Sequence, residues 1–92
     1  MIQVSEIATM AILETLQASA VEPDKGLRLK RENTGLSLNI DTTKNTDTII
    51  WHDENIILII DRETEKKIGD ALVDVDDGPE GARLVLRHKI ST

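Results

Sequence analysis

Five consecutive aliphatic residues, Ile56-Ile57-Leu58-Ile59-Ile60, constrain the fold more than any other stretch of this chain. Successive side chains of a strand point to opposite faces. A strand that is apolar on both faces must be covered on both, by a helix, a second sheet or another chain. The cover has to be aliphatic, because Trp51 is the single aromatic among 92 residues. A single domain spanning residues 1–92 is expected, and a chain of this size buries roughly 60–65% of its unfolded surface.

The rest of the chain divides into short amphipathic elements. Ser5 is a helix N-cap, since its hydroxyl can accept from a free backbone N–H of the first turn. Behind it, Ile7, Ala8, Ala11, Ile12 and Leu16 fall at helical spacing on one side, with Leu13 at the edge of that stripe. Glu6, Thr9, Glu14 and Gln17 lie largely elsewhere. The pattern predicts an amphipathic helix to about Ala18–Ala20, ended by Pro23 and Gly26. Leu27 and Leu29 then alternate with Arg28 and Lys30. Leu36, Leu38 and Ile40 alternate with Ser37, Asn39 and Asp41. Each run reads as a strand with one buried and one wet face, and the short polar link between them predicts a hairpin. Thr48–His52 and Ile56–Ile60 form a second hairpin around Asp53-Glu54-Asn55. Asp61 caps a short helix to about Ile68. Leu72–Val75 and Ala82–His88 are the last strands, separated by a turn rich in Asp and Gly. No βαβ alternation is present. The expected class is α+β, with mostly antiparallel sheets of about six strands.

Charge and composition exclude several functions. Eleven basic residues against seventeen acidic ones leave a net charge of −6. Such a surface is repelled by nucleic-acid phosphate and by anionic membrane, and one aromatic offers no stacking platform for bases. No segment approaches the roughly 20 apolar residues that span a bilayer. The opening residues lack a basic stretch followed by an apolar run, so a cytoplasmic protein is expected. The chain holds no cysteine. It therefore offers no disulfide, no thiolate nucleophile and no cysteine-ligated iron–sulfur cluster.

In order and spacing these segments resemble the A-type iron–sulfur carrier family, also called HesB-like or IscA-like. IQVSEIATMAI is similar to the family's opening strand, Ser/Thr and amphipathic helix. GLRLKRENTGLSLNID is similar to its first hairpin, and DTIIWHDENIILIID to its second. ALVDVDDGPEGARLVL is similar to its ending, a strand with a Val-Asp pair, a Gly turn and a last strand. The resemblance implies that the chemistry would sit on one cysteine in the first hairpin and two in a Cys-Gly-Cys tail. Asn33 stands near the first of these positions, and the tail would begin where the sequence ends at Thr92. The resemblance thus implies a cysteine-free branch, with no ligand to carry over. A non-enzymatic accessory or protein-interaction role near iron–sulfur cluster biogenesis is expected.

Other candidate sites are weaker. His52 and His88, with Asp74 and Asp76, could ligate a divalent metal through nitrogen and oxygen. No HxH or HxxxH spacing supports this, and two strand-end histidines are the simpler reading. The run Asp74-Val75-Asp76-Asp77-Gly78-Pro79-Glu80 misses the spacing of a calcium loop, so a solvated strand end is expected there. No serine has a triad pattern and no glycine loop cradles phosphate, so no enzyme is expected. Arg28 and Lys30 on one strand and Arg83 and Arg87 on another would form a basic stripe if the strands were neighbours, most simply a solvated face paired with carboxylates. Trp51 is expected in the core or half-buried. Alternatively it anchors an interface with Ile57 and Ile59, either in a homodimer or against a protein partner.

Overall fold

A computed structural model describes residues 1–32, 35–79 and 81–88. Its elements run β1 (Ile2–Val4), α1 (Glu6–Ala18), β2 (Lys25–Glu32), β3 (Gly35–Thr42), β4 (Thr48–His52), β5 (Asn55–Ile60), α2 (Arg62–Ile68), β6 (Ala71–Gly78) and β7 (Gly81–His88). The α+β architecture thus has seven strands in two sheets, ordered β3-β2-β5-β4 and β1-β6-β7.

Both expected hairpins form as antiparallel pairs, β2–β3 and β4–β5, and the last two strands also pair antiparallel, β6–β7. Two further pairings are parallel. β2 lies beside β5, with Leu27 opposite Leu58 and Leu29 opposite Ile60. β1 lies beside β6, with Ile2 opposite Ala71. The first parallel pairing sets two hairpins side by side. It buries the central strand β5, in which all of Ile56–Ile60 are buried.

Both helices are capped as their sequences dictate. The Ser5 hydroxyl accepts from the Ala8 N–H at 3.1 Å, and the Asp61 carboxylate accepts from the Thr64 N–H at 2.7 Å. One aliphatic core takes Ala8, Ile12 and Leu16 from α1, Leu27 and Leu29 from β2, Ile57, Leu58 and Ile60 from β5, and Ile68 from α2. Ile2, Ala71 and Val73 bring the three-stranded sheet into the same cluster.

The helical face is rotated from the expected one. Thr9 is buried and donates its hydroxyl to the Ser5 carbonyl at 2.9 Å, while Ile7 is 69% exposed. Satisfying the hydroxyl locally allows Thr9 onto the inner face, and this turns Ile7 outward.

Candidate functional site

Arg28 breaks the expectation for its strand. Alternation puts it opposite to Leu27 and Leu29, yet it is buried. Its Nε donates to Asp41 Oδ2 at 2.6 Å. Its Nη1 and Nη2 donate to Asp47 Oδ1 and Oδ2 at 3.1 and 2.7 Å, and Nη2 also donates to the Thr42 carbonyl at 3.0 Å. The planar guanidinium fits a carboxylate as a fork, and full pairing is what permits its burial. These bonds hold the Asp47 and Asp41 carboxyls below the usual carboxylate range and push the guanidinium further toward its charged form.

The strands that would have to be neighbours for a basic stripe are not. β2 and β7 belong to different sheets. Arg87 is instead tied down on its own sheet, donating from Nε to Asp74 Oδ2 at 3.1 Å. Asp74 also accepts from the Ser5 hydroxyl and from the Val75 N–H, both at 2.8 Å. Those contacts, the Ser5 hydroxyl foremost, hold its carboxyl below the usual range. This cluster joins the start of α1 to β6 and β7. Its serine is consumed as a cap and donor, so it offers no nucleophile.

The histidine and carboxylate candidates are not brought together. His52 ends β4 in the four-stranded sheet, 3.6 Å from its neighbour Asp53. Asp74, Asp76 and His88 lie in the other sheet, and Asp74 is already engaged by Arg87 and Ser5. No group of three such side chains among the described residues could hold a metal ion. Asn33 lies outside the described residues.

The interface candidates separate. Ile57 and Ile59 are buried within the chain's own fold, at 1% and 0% exposure, so they cannot reach a partner. Central placement between β2 and β4 is the reason. Trp51 is instead 55% exposed on the edge strand β4. A register shift between Ile50 and Trp51 pairs Trp51 with Ile56 and leaves Ile57 without an opposite residue. Such a bulge re-aims the side chains beside it, a change that no spacing rule applied to the sequence would reveal. Among the described residues, the other exposed large apolar side chains are Met1, Ile7, Met10 and Ile40.

The described surface also carries a cleft of about 350 Å³ between Met1, Gln3, Asp70, Leu72, Arg87 and His88. It holds no nucleophile–base pair. No helix of the described residues is long and apolar enough to cross a membrane.

No protein-family model and no curated protein matches this sequence. Solved structures do match the fold. Escherichia coli SufA, described as involved in biosynthesis of iron–sulfur clusters, is 16% identical with a TM-score of 0.70, over 95% of this chain and 84% of SufA. A protein from Aquifex aeolicus, determined by solution NMR, is 18% identical with a TM-score of 0.67, over 96% of this chain and 91% of its own. IscA with a [2Fe–2S] cluster is 18% identical with a TM-score of 0.59, over 96% of this chain and 85% of its own. The chain has the A-type carrier, HesB-like fold.

Proposed function

We propose that this chain is a non-enzymatic, HesB-like accessory protein of iron–sulfur cluster biogenesis that works through protein contacts and ligates no cluster through thiolates. One observation carries the reading. The carrier fold extends over 95% of the chain while the sequence contains no cysteine. A fold kept without thiolates leaves its surface as the working part. Its one aromatic, Trp51, is displayed on a sheet edge instead of serving the core. Exposed tryptophan is a frequent interface anchor.

Affinity capture from native extract tests the reading, with an unrelated protein of matched charge as control. Enrichment of identified cluster-assembling or cluster-containing proteins is expected. Anaerobic incubation of the purified protein with iron and sulfide should leave it without visible cluster absorption. Capture lacking any such protein, or a stable coloured cluster, would overturn the proposal.

A further inference from the structure

Of the strands that end a sheet, β1 is three residues long, β4 is five and carries a bulge, and β3 has no basic side chain. β7 differs from all three. It is eight residues long and pairs with β6 in unbroken register, from Ala71 opposite His88 to Gly78 opposite Gly81. Its other edge has no strand beside it among the described residues. A long, regular edge is a template for a further strand.

The two faces of β7 offer different things. Leu84 and Leu86 lie on the inner face, partly buried against the core. There α1 does not close fully over the sheet. A hollow of about 150 Å³ lies between Ala11 and Thr15 of α1 and Val75, Ala82, Arg83 and Leu84 of the β6–β7 hairpin. A dry cavity of roughly this volume holds a benzene-sized group. The Thr15 hydroxyl donates to the Ala11 carbonyl at 2.9 Å, so its polarity is met within the helix. Ile7, four residues before Ala11 on the same helical line, is 69% exposed and extends this wall.

Alternation puts Arg83, Val85 and Arg87 on the other face. Arg87 is held there by Asp74. Arg83 is exposed, and among the described residues it has no ion pair or side-chain hydrogen bond. That charge selects the occupant. A second copy of β7, paired about a two-fold axis through Val85, would set Arg83 opposite Arg87 at both ends, and like charges directly opposite are destabilising. A strand bearing carboxylates at those positions meets an unpaired guanidinium instead.

We propose that β7 accepts an extended segment of a partner protein as an added strand, and that this segment alternates apolar and acidic residues. Main-chain hydrogen bonds to the edge hold it, an apolar side chain enters the hollow beside α1, and a carboxylate pairs with Arg83. The inference rests on the protein-contact reading above and specifies the partner's chemistry. Binding of a synthetic peptide and capture of cluster proteins are separate measurements, so either can fail alone.

Fluorescence polarisation with a dye-labelled peptide of alternating glutamate and valine tests it. Saturable binding to the purified chain is expected, and a peptide with lysine in place of glutamate should bind at least about tenfold more weakly. Arg83→Glu, and separately Ala11→Leu, which fills the hollow, should each weaken binding by about tenfold or more. Successive N–H groups of a strand point to opposite edges. Methylating every second backbone nitrogen of the peptide should therefore abolish binding for one of the two alternate sets and spare the other. The proposal is overturned if the glutamate peptide does not bind, if the lysine peptide binds as tightly, if both variants bind like the wild type, or if the two methylated peptides behave alike. Should either variant fail to fold by circular dichroism, the lysine and methylated peptides on the wild-type chain decide.

Discussion

Arg28 and Asp47 meet as a two-pronged pair inside the protein, with side chains only 5% and 2% exposed. The guanidinium belongs to β2 and the carboxylate to the loop before β4, so the contact ties that loop across the sheet. Removing Asp47 leaves the buried guanidinium with Asp41 and the Thr42 carbonyl as its partners and two of its N–H groups without their acceptor. Asp47→Ala should lower the free energy of unfolding by about 1.5–3 kcal/mol, the range for a lost charge-assisted hydrogen bond. Arg28→Met with Asp47→Leu removes both charges and should be less destabilised than the Asp47→Ala single variant. Urea denaturation of the three proteins checks this. A double variant less stable than the single one contradicts it.

Acid should unfold the protein through the same carboxylates. Asp47 and Asp41 are held down by the Arg28 fork, Asp61 by the Thr64 N–H, and Asp74 chiefly by the Ser5 hydroxyl. A carboxyl whose pKa is depressed on folding binds its proton more readily in the unfolded chain. Its contribution is therefore present above the unfolded value, about 3.9, and fades as pH falls through the folded one. Stability measured against pH should be flat near neutrality and fall below about pH 5. Asp47→Asn should flatten that fall. An acid limb of unchanged steepness in the variant would refute the assignment.

Gly26 sits where β2 passes β5. A Cβ at this position would lie 2.7 Å from Ile56 Cγ2 and 3.3 Å from the Ile56 carbonyl oxygen. Gly26→Ala should therefore cost about 1–3 kcal/mol through overpacking. If it is Ile56 Cγ2 that clashes, Gly26→Ala should cost less in an Ile56→Ala background, which lacks that methyl, than in the wild type. Thermal unfolding of the single and double variants separates the effects, and the absence of any loss in Gly26→Ala would show that the strands can spread.

Ser5 serves two elements with one hydroxyl, accepting from the Ala8 N–H and donating to Asp74. Ser5→Ala should cost about 1–2 kcal/mol, toward the upper end of an N-cap loss. Ser5→Asp keeps a cap but sets a second carboxylate against Asp74, so it should not restore full stability. Full recovery in Ser5→Asp would mean that the link to β6 contributes little.

Much of the fold was readable because its signals are local. Ser5 and Asp61 cap the helices that follow them, since each supplies an acceptor three residues before a free N–H. Alternation marks β2, β3 and β7, and the apolar run marks β5. The three-residue β1 is too short to carry a period. It was expected only through the family resemblance, and it exists because it pairs with β6.

The sequence by itself determined the first two hairpins, the caps, the doubly apolar strand that needs cover on both faces, and the lack of cysteine among these 92 residues. It also held enough order and spacing to indicate the HesB-like fold. Only the tertiary structure decided which alternating faces are covered and which polar groups meet. Alternation distinguishes two sides of a strand without saying what lies over either. Arg28 looked like a solvated residue because its partners stand 13 and 19 positions away, and they reach it only after β3 has turned back and the loop beyond it has folded over. Trp51 is exposed and Ile57, offered beside it as an interface residue, is buried for the same kind of reason. A bulge and a position in the sheet order set their exposure, and both arise from pairing between strands, not from spacing along one of them.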